Sequence, residues 1–398
     1  MLSTMISNRQ LFFNHVAQTS DMPLAIEIER AEGLYMYTPE GKSIMDLISG
    51  IAVSNVGHCH PKVVQAIQEQ SAKFMHLMVF GELIHAPQSQ LAQAIQQTLP
   101  QKLDNVYFVN SGSEAVEGAL KLAKRYTGRQ ELISFKNAYH GSSHGALSMM
   151  GNDFFKDAFR PLLPNTKQIR FNHIDDLNEI THNTAAIIIE PIQGEAGVVI
   201  GDEAFYKALN DRCQATGTLL IVDEIQSGFG RTGQFWAFEA LGLNPDIVLC
   251  AKGMGGGMPI GAFISSKEIM SSLTHNPFLG HITTFGGNAV TCAASLATLQ
   301  LILEEELHLK AKDKGTLFKY LLQHPQIKEV RGKGLMLAVE LNDADKVKKV
   351  IQHCVEQGIL TDWFLFCDTA LRIAPPLTIQ EEEIKKACKI LLHAFNNL

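Results

Sequence analysis

Apolar residues in the middle of the chain fall into short, nearly unbroken runs separated by stretches with helical spacing. The runs are Asn105 to Val109, Leu132 to Phe135, Ala185 to Glu190, Leu219 to Asp223 and Ile247 to Ala251. Each is β-branched or apolar almost throughout, which predicts strands covered on both faces. Helical patterns such as EAFYKALNDRCQATG lie between several of them, and AVEGALKLAKRY follows the first. Ser111 and Glu114 stand three apart just before AVEGALKLAKRY, the spacing of a capping box, so a helix is predicted to begin there. The alternation of strands and helices predicts a three-layer α/β/α domain with a mostly parallel sheet. In open sheets of this kind ligands sit beyond the carboxyl ends of the strands.

A long helical pattern starts near Asn288 and leads out of this domain. Beyond it come strand-like GLMLAVEL, helix-like DADKVKKVIQHCVEQG, strand-like LRIAP and a terminal helix from about Gln380. The first fifty residues hold a helix-like start and short strands, AIEIERAEGLYMYTPEGKSIMDL. The expectation is a smaller α+β domain formed by the N- and C-terminal segments. Residues 1–50 give its N-terminal part, 51–290 the large domain, and 291–398 the linking helix and C-terminal part.

Composition narrows the function classes. At 398 residues, 46% hydrophobic and 19% charged, the chain can bury a large core without disulfide or metal staples. Its net charge of −7 offers no basic field to nucleic acid or an anionic membrane. The seven cysteines are scattered and never spaced C-x-x-C, the pattern of reduced thiols. MLSTMISNRQLFFNHVAQ has no long apolar core, and no stretch is apolar enough to span a bilayer. A cytoplasmic location is the expectation.

Three places carry candidate chemistry. Lys252 ends an apolar run and precedes Gly253-Met254-Gly255-Gly256-Gly257-Met258-Pro259. Partial desolvation there lowers a lysine's pKa and frees the amine for Schiff-base formation; a surface lysine or a phosphate contact is the alternative. Asp223 ends LLIVD, where a carboxylate can pair with a protonated pyridine nitrogen or merely cap the next turn. Gln226, three residues on, could reach a ring hydroxyl. Ser111-Gly112-Ser113 lies at a strand-to-helix junction that favours an anion, or else serves only as a helix cap. Gly41-Lys42-Ser43 resembles the end of a P-loop, but Met36 stands where that motif needs Gly. The pairs His58 and His60, and His140 and His144, lack a third ligand, so no metal site is expected.

GIAVSNVGHCHP, FVNSGSEAVEGALKLAKRY, NAYHG, IIIEPIQGEAGV, LLIVDEIQSGFGRTG, AKGMGGGMPIGAF, TTFGGNAVTCAA and LRIAPPLT together resemble the class III aminotransferases, fold-type I enzymes that use pyridoxal 5'-phosphate. The likeness spans nearly the whole chain and is strongest to acetylornithine and ornithine aminotransferases. It implies that Lys252 carries the cofactor and shuttles the proton, that Asp223 holds the pyridine nitrogen and Gln226 the ring oxygen. Tyr139 would stack on one ring face, beside His140, with Ile225 on the other. Ser111, Gly112 and Ser113 would bind the phosphate.

The same likeness implies a homodimer in which Thr284 reaches the partner's cofactor. It implies that Glu195 and Arg372 act as a switch between an amino donor and 2-oxoglutarate; a permanent salt bridge is the alternative. The family usually places Arg directly after the aromatic-His-Gly segment. Ser142 stands there and cannot supply a guanidinium fork. Either Lys136 or His144 supplies the charge, or the donor lacks a distal carboxylate. The implied reaction passes an amino group, as of ornithine or acetylornithine, to 2-oxoglutarate. 4-Aminobutyrate, β-amino acids and diamines remain as donors, and a racemase or aminomutase as a rival on the same scaffold.

Overall fold

Seven strands form the central sheet of the computed structural model, which describes residues 7–398; the first six residues of the N-terminal reading lie outside it. They are β1 (Asn105–Val109), β2 (Glu131–Phe135), β3 (Thr166–Ile169), β4 (Thr184–Ile189), β5 (Leu219–Asp223), β6 (Ile247–Cys250) and β7 (Gly261–Ser265). Their order across the sheet is β1-β7-β6-β5-β4-β2-β3. β7 runs antiparallel to both neighbours, and the remaining pairs are parallel. Every residue of β4, β5 and β6 is buried, as their β-branched sequences require when helices cover both faces.

The predicted runs and the observed strands agree within a residue, apart from two strands. β3 and β7 escaped the pattern because β3 is a half-polar edge strand and β7 follows a loop rich in Gly and Pro. The sheet is therefore mixed at one position, while the mostly parallel three-layer prediction holds.

Helix Gly112–Thr127 begins at the carboxyl end of β1 and ends at left-handed Gly128. It packs tightly enough on β7 that a Cβ at Gly118 would lie 2.3 Å from the Phe263 ring, so Gly118→Ala would force the two apart. The Ser111 hydroxyl accepts from the Glu114 N–H at 3.2 Å, as predicted. The Glu114 carboxylate, however, accepts from the Asn110 N–H at 2.7 Å rather than from Ser111, so the box closes one residue early.

The chain's two ends build the smaller sheets. Strands Arg30–Glu32, Tyr35–Tyr37 and Ser43–Asp46 pair antiparallel, and Ile359–Leu360 joins the last of them in parallel, with Ile359 opposite Met45. A second antiparallel sheet joins Glu329–Lys333, Met336–Glu340, Cys367–Ile373 and Trp363–Phe364. Helix Ala344–Glu356 covers it with Val347, Val350, Ile351 and Cys354, spaced i, i+3, i+4, i+7. Burying Val350 and Ile351 stabilises by about 1.5–3 kcal/mol each. The linking helix Ala289–Glu304 is capped by Asn288, and the terminal helix Glu381–Asn396 by Gln380 with Glu383 reciprocating, where the sequence placed them. No helix among the described residues is long and apolar enough to cross a membrane.

Candidate active site

A cavity of about 420 Å³ opens at the carboxyl ends of β1, β4, β5 and β6. Ser111, Gly112, Ser113, Tyr139, His140, Glu190, Glu195, Asp223, Ile225, Gln226 and Lys252 line it. Residues more than a hundred positions apart converge because parallel strands deliver their last residues to the same edge.

Lys252 follows β6 and opens a single 3-10 turn, Lys252–Gly255. Its φ of 45° is left-handed, a conformation that costs a lysine energy and persists only where the surroundings impose it. No described residue accepts a hydrogen bond from its amine. Burial depresses the amine's pKa; Glu195 pulls it back up, Arg372 lowers it further, and Asp223 and Glu190 raise it. A lysine without a partner, pushed toward neutrality, is poised to attack a carbonyl.

Asp223, at the last position of β5, is 4% exposed. Its Oδ2 lies 2.7 Å from His140 Nδ1, and its Oδ1 accepts from the Ile225 N–H at 3.0 Å. His140 Nε2 is buried without a partner. Glu190, directly after β4, lines the same wall, and burial pushes its carboxyl up to about 7. His140 opposes that rise, Asp223 adds to it, and backbone N–H bonds oppose it again.

At the other end of the cavity, Ser111-Gly112-Ser113 leads into a helix of 16 residues. Among the described residues the N–H groups of Gly112 and Ser113 have no acceptor, which suits an anion at a helix N-terminus. A Cβ at Gly112 would lie 3.0 Å from Ile225 Cδ1, so a larger residue there would press on Ile225.

Glu195 and Arg372 form a fork-to-fork pair, Nη1 to Oε1 at 3.0 Å and Nη2 to Oε2 at 2.9 Å. Arg372 also donates through Nε to Asp362 at 3.0 Å and lies 4.5 Å over the Phe364 ring. Burial alone would raise the Glu195 carboxyl, but the charge and hydrogen bonds of Arg372 outweigh it and carry it down to about 2. Asp362 goes the other way, to about 6, because burial outweighs its share of the arginine. Gln226 donates to Glu195 Oε1 at 3.3 Å, so its amide faces the Glu195–Arg372 pair as well as the cavity.

The remaining candidates lie elsewhere. Ser142 is exposed at the rim, its hydroxyl 3.4 Å from that of Tyr139 and its N–H 3.4 Å from Ser113 Oγ. Lys136 and His144 are exposed, and neither lines the cavity. Thr284 is exposed and does not line it either. His58 is paired with Asp46 at 2.9 Å, and no cluster among the described residues could hold a metal. Sequence reasoning missed Glu190 and Asp362 as site residues. Glu190 carried a usable signal, a carboxylate at a strand's carboxyl end; Asp362 carried none.

The residues present fit pyridoxal phosphate. They offer a half-buried lysine without a partner, a buried carboxylate for the pyridine nitrogen and a glycine cradle with two free N–H groups. Residues 16–395 match the family model Aminotransferase class-III.

The chain belongs to the class III aminotransferases. It is 41% identical over 369 residues to an acetylornithine aminotransferase of Methanopyrus kandleri, covering 92% of each chain. A [LysW]-aminoadipate semialdehyde/glutamate semialdehyde transaminase of Sulfolobus acidocaldarius is 36% identical over 372 residues, with 92% of this chain and 94% of that one covered. Among solved structures, the ornithine aminotransferase of Toxoplasma gondii ME49 superposes with a TM-score of 0.91 at 29% identity, covering 99% of this chain and 96% of that one. This class III aminotransferase is thus a pyridoxal-phosphate-dependent enzyme, with the fold its sequence predicts.

Proposed function

We propose that this enzyme transfers the ω-amino group of ornithine, acetylornithine or a similar amino acid to 2-oxoglutarate, giving glutamate. The observation that carries the reading is Arg372 held by two carboxylates beside Lys252. A two-substrate cycle needs an arginine that is masked while a donor amine is bound and released when a dicarboxylate enters. Glu195 and Asp362 can supply that masking, and Arg372 can then take a carboxylate bidentately. The names of the similar acetylornithine and ornithine aminotransferases support the donor class.

Lys252 would hold the cofactor, and its amine, once free, would move the proton from the donor's carbon. Bound pyridoxal phosphate supplies the electron sink for that proton's removal. Asp223, oriented through His140, would hold the ring nitrogen. Gln226 would serve the ring oxygen, Tyr139 and Ile225 the ring, and Ser111, Gly112 and Ser113 the phosphate. Ser142 marks the rim where the donor's far end lies.

The active unit is a homodimer, with Thr284 of each copy reaching the other's cofactor. Support comes from Met75, Met78, Ile84, Phe278, Ile282 and Phe285, apolar side chains exposed on the segments around residues 75–84 and 278–285. Domain limits near residues 50 and 290 accompany this arrangement, because the gate arginine and the lysine then belong to different units.

The test is a half-reaction screen on cofactor-loaded protein, adding one amine at a time and following the absorbance of the lysine-bound cofactor. Loss of that absorbance with ornithine or acetylornithine, and its return with 2-oxoglutarate, is the expected result. An amine that is racemised or rearranged with no transfer to 2-oxoglutarate overturns the reading.

A further inference from the structure

Glu190 has no role in the assignment above, yet it stands where its parts meet. The residue is 7% exposed and lines the cavity. Its two oxygens serve different segments. Oε2 accepts from the backbone N–H of Tyr139 at 3.0 Å, and Oε1 from that of Gly194 at 3.0 Å. Tyr139 leads into His140, which is bonded to Asp223; Gly194 leads into Glu195, which is bonded to Arg372.

Both segments are also tightly packed against other walls of the cavity. A Cβ at Gly141 would lie 2.2 Å from Ser113 Oγ, and one at Gly194 would lie 1.8 Å from Gln226 Oε1. Only a carboxylate accepts on two oxygens at once from one side chain. Burying it costs more than burying an amide, so its use here asks for a reason beyond capping. The charged groups coupled to it are His140 and Asp223, and its own charge raises the Lys252 amine.

We propose that Glu190 is a positioning residue that latches the segment bearing Tyr139 and His140 to the segment bearing Glu195. The cofactor face and the carboxylate gate are thereby kept in one relative geometry. The latch rests on the aminotransferase reading.

The test uses the full-length, cofactor-loaded enzyme with Glu190→Gln and Glu190→Asp. Glutamine turns one acceptor into a donor facing an N–H, so kcat/KM is expected to fall about 10- to 100-fold in both half-reactions, the range for a buried group left unsatisfied. The pH midpoint of the lysine-bound cofactor's absorbance is expected to move down, because a carboxylate acting on Lys252 is lost. Aspartate keeps the charge but is one methylene short of spanning both N–H groups, so it should hold the midpoint and still lose kcat/KM by the same order. If the glutamine protein does not fold, the aspartate variant carries the test. Variants that lower Tm while leaving kcat/KM within about twofold and the midpoint fixed make Glu190 a plain structural acceptor, and the latch fails alone. Wild-type protein with no cofactor absorbance sinks the aminotransferase reading and the latch with it.

Discussion

The end of the cavity at Lys252, Asp223 and Ser111–Ser113 and the end at Glu195 and Arg372 are built by different means. Lys252, Asp223 and the Ser111–Ser113 turn each sit at or just beyond the end of a central strand, fixed by a sheet that is buried on both faces. Glu195 and Arg372 are 177 positions apart, on a loop after β4 and on a strand of the smaller sheet, and meet through their side chains alone. The first end is preorganised by backbone, and its one strained residue is Lys252 itself. The second is an ion pair whose partners can separate without unmaking a sheet. A fixed end suits chemistry that is the same in both half-reactions; a separable end suits the part that must accept two different substrates.

The largest effect should come from the fixed end. Lys252→Ala is expected to lower kcat by about 10⁴-fold, since in the proposed reading it is both the anchor and the proton carrier. Thermal stability of the cofactor-free protein should hold or rise, because a desolvated ionisable group is gone, while alanine keeps the left-handed strain. Activity within tenfold of wild type would move the chemistry away from β6.

At the Glu195 end, Arg372→Lys keeps a charge but not the fork. The KM for 2-oxoglutarate should rise about 10- to 100-fold, the value of a charge-assisted bond, with a smaller change for the donor. Equal shifts for both substrates would make the pair a fixed brace and erase the contrast.

Titration separates the two ends more finely. The folded-state pKa of Glu195, about 2, lies below its ordinary 4.5. Its contribution is therefore full above about 4.5 and is lost as pH falls toward 2. At full strength it is worth about 3 kcal/mol. The stability gap between wild type and Glu195→Gln, measured by thermal melts, should narrow across that window; a gap independent of pH would count against the ion pair.

The smallest effect belongs to the rim. Ser142→Ala should change stability by less than about 0.5 kcal/mol, as exposed substitutions do. Its influence should appear only in donor KM values, and a large loss of kcat would place Ser142 inside the chemistry.

The same contrast explains what was legible in the sequence. Strand runs ending in Lys, Asp or Asn-Ser-Gly-Ser announce both the sheet and the residues at its edge, because period and position are local properties. β7 was not legible, since a strand after Gly256-Gly257-Met258-Pro259 gives no sign of which neighbours it enters between or in which direction. Glu195 and Arg372 carried no local signal of their pairing, and only the resemblance to a family joined them. Asp362 lay beyond either route. It shares an arginine because it precedes the short edge strand Trp363–Phe364, where its carbonyl accepts from the Arg372 N–H at 2.8 Å, a pairing no local pattern announces.

The pairing of Ile359 with Met45 also sets an order of assembly. Ser43–Asp46 leaves the ribosome early, but one edge of that strand waits for a segment made roughly 300 residues later. Closing so long a loop adds little to the equilibrium cost and much to the search. Until then its unpaired N–H and C=O groups face any passing extended chain. Arg372 arrives with the same late segment. A nascent chain halted before it can already have made the strands that deliver Lys252 and Asp223, but it cannot close the pair that holds Glu195.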